Sequence, residues 1–224
     1  AAAAPAVPRI GFVGDGRTPT NYLGLQRFLR EGWPVLRSLS PRARLRIVGR
    51  EPDAHRPGER PRGGRRRCAA GEVHCGWAWS TPCEANASAC GVDALGYLSA
   101  AALRREAARW QLLLVPIFAS TGANTKVLLG LQLGLPIVAT PAAVAPFGLR
   151  PGTAAAALAD NASALAHAAA ALLADAPARR RLGRAARAHF GRLLNRSDAA
   201  DDAAALVRWS CIRVSSRAGP RAPP

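Results

Sequence analysis

The chain has 224 residues, enough for one domain with a substantial core or for two small ones. Hydrophobic residues make up 49% and charged residues 20%, an ordinary globular balance that excludes a wholly disordered chain. The formal net charge of +17 comes from arginine scattered among abundant alanine. GC-rich codons give that pairing by themselves, so the charge argues only weakly for a nucleic-acid partner.

Residues 1–8, AAAAPAVP, lack the basic start of a signal peptide and read as a linker. The sequence contains no methionine, so a fragment or processed product is expected, with a missing part upstream. No segment has the unbroken apolar length of a membrane helix. Composition leaves the compartment, cytoplasmic or Golgi, undecided.

RIGFV (9–13) is a short apolar run ending in Gly14-Asp15-Gly16, which predicts a strand running into a turn. Residues 21–39 carry apolar positions at helical spacing (Leu25, Phe28, Leu29, then Val35, Leu36 and Leu39), with a kink or break expected at Gly32 and Pro34. ARLRIVG (43–49) alternates like a second strand. Residues 50–90 are polar, rich in Pro and Gly, and lack apolar periodicity. They predict a long irregular insertion that adds no strand to the sheet. VDALGYL (92–98) predicts a third strand, and 98–110 a helix. QLLLVPIF (111–118) is apolar throughout, the mark of a strand buried on both faces. TKVLLGLQLG (125–134) predicts a helix stopping at Gly134. LPIVAT (135–140) and TAAAALA (153–159) predict two more strands. Helices follow over about 161–175 and 177–194, with a last one over 198–209 before a Pro/Arg tail.

Strand and helix alternating in this order mean parallel strands joined by crossover helices, hence an α/β, doubly wound, Rossmann-like and mostly parallel sheet. The domain is expected over 9–49 and 91–194, with the insertion at 50–90 and a helix and tail at 195–224. Ligands of such sheets sit beyond the carboxyl ends of the strands, near helix N-termini. Two loops fall there: Gly14–Thr20 and Ala119–Lys126.

Lys126 is the only lysine in the chain. It is expected as an exposed residue in the first turn of its helix, where a cation is mildly unfavourable unless an anion is bound. Small residues precede it (Ser120, Gly122, Ala123), Thr125 offers a hydroxyl, and the first-turn N–H groups point outward. This helix start therefore predicts a phosphate or diphosphate site, with a surface lysine of no function as the plain alternative. A Walker loop fails because Val127 follows the lysine, and a dinucleotide fingerprint fails because Pro19 stands where its third glycine belongs.

Four of the five cysteines (Cys68, Cys75, Cys83, Cys90) lie in the insertion without a CxxC pair. Unpaired thiols are the expectation, with disulfides and zinc as alternatives. His55, His74, His167 and His189 read as loop or helix-surface residues. No acidic DxD cluster stands beside a strand end, and Asp201-Asp202, in a late helix, reads as surface charge. RPRGGRRR has no interleaved aromatics and reads as a solvated loop rather than a nucleic-acid contact. Asn-X-Ser sequons stand at Asn86, Asn161 and Asn195; Asn86 is the loop acceptor, whereas the other two start or end helices.

The order IGFVG…N..GL..FL.EGWPVL….P.ARLRIVG, then GVDALGYLS, then LLLVPI….TGANTKVLLGLQLGLPIVAT resembles the C-terminal domain of a GT-B glycosyltransferase of the retaining "glycosyl transferases group 1" type, over about 9–192. The resemblance implies a Rossmann-like domain that binds a nucleotide-sugar as substrate, with no cofactor or metal. Gly14, Arg17, Thr121, Gly122, Asn124, Thr125 and Lys126 would face the donor, Arg17 and Lys126 as its cationic partners. An acceptor-binding N-terminal domain would lie outside this chain. The family commonly has two glutamates eight positions apart, where Thr121 and Leu129 stand here; an apolar Leu129 cannot accept ribose hydrogen bonds. No residue is named as catalytic. A non-catalytic module of the same fold, or an arginine-rich RNA-binding protein, are the alternatives in other function classes.

Overall fold

The computed structural model describes residues 7–50, 90–119, 122, 124–149 and 156–195. The elements in chain order are β1 (Arg9–Val13), α1 (Pro19–Arg27), a π turn (Phe28–Gly32), α2 (Trp33–Leu39), β2 (Arg44–Val48), β3 (Val92–Ala94) and α3 (Ala100–Ala107). They continue with β4 (Leu112–Val115), α4 (Thr125–Leu133), β5 (Ile137–Ala139), α5 (Pro141–Val144), a 3-10 turn (Ala145–Phe147), β6 (Ala156–Leu158), α6 (Ala162–Ala174) and α7 (Ala176–Leu194). The strands form one sheet in the order β3-β2-β1-β4-β5-β6, and every pair is parallel. That is the doubly wound order, with its switch point between β1 and β4.

Helices cover both faces because successive strand residues point to opposite sides. Ile10, Phe12, Leu45, Ile47, Leu112 and Leu114 pack with Leu25, Phe28, Leu29, Trp33 and Leu36 of α1–α2 and Leu165, Ala166 and Ala169 of α6. Leu113, Val115, Ile137 and Ala139 pack on the other face with Val127, Leu128 and Leu131 of α4. β4 is buried at all four positions, as a strand covered twice requires.

The structure corrects several boundaries. Helical backbone runs on from Pro19 to Leu39, and the expected break is a π turn in which the Trp33 N–H bonds back to the Phe28 carbonyl. Gly32 is needed there for packing, since a Cβ would stand 2.5 Å from the Ala162 carbonyl oxygen. β3 ends at Ala94, because Gly96 turns the chain with φ +64°. β4 ends at Val115, because Pro116 has no N–H for the ladder. Gly134 ends α4 in the left-handed conformation at φ +66°, as expected.

On the α3 side of β2 and β3, Arg46 bonds to Asp93 and Glu106 (2.7 Å each), and Arg44 also pairs with Asp93. The Trp110 indole N–H donates to Glu106 at 3.1 Å. Cys90 is disulfide-bonded, which corrects the expectation of unpaired thiols for this residue. Cys68, Cys75, Cys83, His55, His74, Asn86, Thr121, the proposed helix over 198–209 and nearly all of the insertion lie outside the described residues. Asn161 caps α6, its side chain accepting from the Ala164 N–H at 2.8 Å, and Asn195 ends α7, so both sequons sit at helix ends as expected. No described helix is long and apolar enough to cross a membrane.

Candidate functional site

The carboxyl ends of β1 and β4 bring together the two loops singled out in the sequence. After β1, the Gly14 N–H bonds to the Val48 carbonyl and the Gly16 N–H to the Arg50 carbonyl, 2.9 Å each, so this loop is tied to the end of β2. Gly49, at φ +147°, makes the close approach possible, because a Cβ would stand 1.7 Å from the Gly14 carbonyl oxygen. Arg17 does not project alone: its guanidinium pairs with Asp15 at 2.8 Å, both side chains being more than a third exposed. That bond holds the Asp15 carboxyl below the ordinary carboxylate range.

On the β4 side, Asn124 is the N-cap residue of α4, yet its side chain does not cap the helix. It donates instead to the Ala143 carbonyl at 3.1 Å, fastening the loop to α5. The first-turn N–H groups of α4 therefore have no side-chain cap, and the positive end of the helix faces the loop. Gly122 is exposed, and a Cβ there would meet no atom within 4 Å, so the protein's own packing does not require glycine. Thr125 is half-buried and Leu129 partly buried.

Lys126 differs most from expectation. It is buried, at 7% exposure, rather than a surface residue. Its ammonium donates to Asn21 Oδ1 at 2.7 Å. Burial alone lowers its pKa from 10.5 to about 8, with no charged neighbour contributing. Asn21, itself only 8% exposed, donates through Nδ2 to the Asp15 carbonyl at 3.1 Å. One carboxamide thus joins the β1 loop to the first turn of α4.

Sequence reasoning missed Asn21, although a signal was present. It lies on the same helical stripe as Leu25 and Phe28, where a polar side chain stands out among core residues. The two described histidines do structural work: His189 Nε2 lies 2.8 Å from the Phe147 carbonyl oxygen and His167 Nδ1 2.9 Å from that of Ser163. A shallow groove of about 530 Å³ lies at the opposite, amino edge of the sheet, between Gln111, Pro136 and the α7 arginines. Two of its arginines serve helix ends: Arg179 donates to the Leu172 and Leu173 carbonyls (2.6 Å each) and Arg187 to that of Leu133.

The backbone is similar to sucrose-phosphate synthase from Thermosynechococcus elongatus (TM-score 0.55, 18% identity, 94% of this chain and 47% of that one). It is also similar to Anabaena Alr3699/HepE, solved in complex with UDP-glucose (TM-score 0.57, 14% identity, 90% and 48%). The catalytic domain of cholesterol-α-glucosyltransferase from Helicobacter pylori matches at TM-score 0.53 and 16% identity, over 84% of this chain and 99% of that one. The chain spans about half the length of the first two. No curated protein matches the sequence significantly. The sequence does match a family model over residues 7–175, which takes in both loops, the switch point and every strand of the sheet. On that match the chain belongs to the family Glycosyl transferases group 1.

Proposed function

We propose that this chain is the nucleotide-sugar-binding half of a glycosyltransferase, and that the donor diphosphate sits between the Gly14–Thr18 loop and the first turn of α4. The observation that carries the reading is a buried ammonium beside a helix N-terminus without a side-chain cap, at the switch point of a doubly wound sheet. The Lys126 ammonium has three N–H donors, one of which is used on Asn21, so two are left for phosphate oxygens. Gly122 leaves the backbone open to the ligand, and Thr125 adds a hydroxyl. Arg17 joins by exchanging Asp15 for the diphosphate.

In sugar transfer, negative charge grows on the departing diphosphate. A cation already in place stabilises that charge without reorganising, and low local polarity strengthens the effect. The acceptor would be held by a second domain completing the cleft, and the acceptor-side chemistry would reside there. A non-catalytic module of the same fold is the second reading. It rests on Leu129, which puts an apolar side chain where a carboxylate would hold the donor ribose.

The test is nucleoside-diphosphate release in the full-length protein across a panel of sugar donors. Lys126→Ala should cut turnover by about a hundredfold, about 2.7 kcal/mol of transition-state stabilisation. Lys126→Arg should recover only part of the rate, because a planar fork does not reproduce a point charge. An active donor turned over equally well by Lys126→Ala would overturn the assignment. UDP binding without turnover of any donor would favour the non-catalytic module.

A further inference from the structure

Asn21 satisfies two different demands at once. A lysine ammonium can only donate and a backbone carbonyl can only accept. The Asn21 oxygen faces Lys126 at 2.7 Å and its nitrogen faces the Asp15 carbonyl at 3.1 Å, so the orientation of the carboxamide is fixed by its partners. Aspartate, ionised, could not donate to the carbonyl, and leucine could serve neither partner. The surroundings are shaped to admit this side chain. A Cβ on Gly14 would stand 3.0 Å from Asn21 Cγ, and one on Gly24, a turn further along α1, would stand 2.0 Å from the Pro116 carbonyl oxygen. Both glycines let α1 press into the gap between β1 and β4.

Neutrality of the partner matters as much as its position. A carboxylate at this distance would cancel the charge of Lys126 in place. A carboxamide holds the ammonium and leaves the charge available to an anion. The Asp15 carboxylate does not compete, because Arg17 occupies it.

We propose that Asn21 is a positioning residue for the anion site, setting the ammonium of Lys126 and the Gly14–Thr18 loop with one side chain so that groups from two strands meet a single ligand. The inference rests on the donor-site reading above and assigns the residue that organises the site. Because Lys126 is the only lysine, ¹³Cε-lysine labelling gives a single resonance whose pH titration reports on this one ammonium. UDP titration calorimetry on the same protein reports on the site.

Asn21→Asp should raise the Lys126 midpoint, near 8 in the unaltered protein, by one pH unit or more, and weaken UDP binding at pH 7 by about tenfold or more. Asn21→Leu should move the midpoint the opposite way and also weaken UDP, since the charged form loses its hydrogen bond. A general loss of structure would show in the melting curve and would not shift the midpoint in opposite directions. Protein that binds UDP, with affinity and lysine titration both indifferent to Asn21, would overturn the proposal. Protein that binds no nucleoside diphosphate while the midpoint still moves would overturn the donor reading and leave the Asn21–Lys126 coupling standing.

Discussion

Replacing Lys126 by methionine removes a buried charge while keeping most of the side chain's volume, and its effect on stability should change sign with pH. In the folded protein the ammonium has a pKa of about 8 against an ordinary 10.5. Between those values the unfolded chain holds a proton that the folded chain has lost, so stability rises with pH across this window. At pH 7 both states are protonated and the folded state carries the full cost of burying the charge, about 3 kcal/mol. Lys126→Met removes that cost but leaves Asn21 Oδ1 without its donor, a loss of about 1–2 kcal/mol. The variant should therefore be more stable than the unaltered protein at pH 7 by about 1–2 kcal/mol, and less stable by a similar amount at pH 10.5. Urea unfolding followed by tryptophan fluorescence at intervals over this range gives both curves. Curves that run parallel from pH 7 to 10.5 would refute the reasoning, because they would mean that Lys126 is solvated in the folded protein.

The same ammonium should make UDP binding alkali-sensitive: affinity should fall by up to about tenfold per pH unit above about 8, measured by calorimetry, and Lys126→Met should bind weakly with no such dependence. Asp93 is desolvated by burial, yet the bonds from Arg44 and Arg46 outweigh that and hold its pKa below the ordinary carboxylate value. Its contribution is present above the unfolded carboxylate pKa and is lost as pH falls through the folded one; Asp93→Asn should cost about 3 kcal/mol at pH 7 in urea unfolding, with the deficit closing in acid. Gly24→Ala should destabilise the protein by about 2–3 kcal/mol in the same assay, because the new methyl overlaps the Pro116 carbonyl and must push α1 off the end of β4.

Much of the fold was legible because the strands at the middle of a sheet covered on both faces, β4 and β5, have no polar positions. LLLV at 112–115 announces itself for that reason, and Gly134 marks the helix end because the left-handed turn excludes most side chains. The ends of strands were less legible. VDALGYL has the composition of a longer strand, but β3 is an edge strand with one neighbour, and its bonds to that neighbour end at left-handed Gly96, whose carbonyl accepts from the Gly49 N–H. Pattern alone cannot say where pairing stops when only one partner enforces it.

The candidate site was half legible, and the two halves differ physically. The expectation of a phosphate-like ligand at the start of α4 follows from local features: small residues, a hydroxyl and a lysine in a first turn. That the lysine would be buried does not, because its burial depends on α1, whose Asn21 lies 105 residues away in sequence. Only the packing of α1 against β4, permitted by the missing side chain at Gly24, brings the two together. Yet the pair left a trace. A helix that buries the stripe through Leu25 and Phe28 keeps a carboxamide on it only where both of its polar atoms find partners, since unmet hydrogen bonds are costly in the core. One partner is supplied locally by the Asp15 carbonyl. The other must be a donor from elsewhere in the chain, and a buried ammonium with no carboxylate contributing to its pKa is the group for which a neutral acceptor has most value. The lone polar residue on the stripe and the lone lysine are thus two ends of one interaction, and neither is explained without the other.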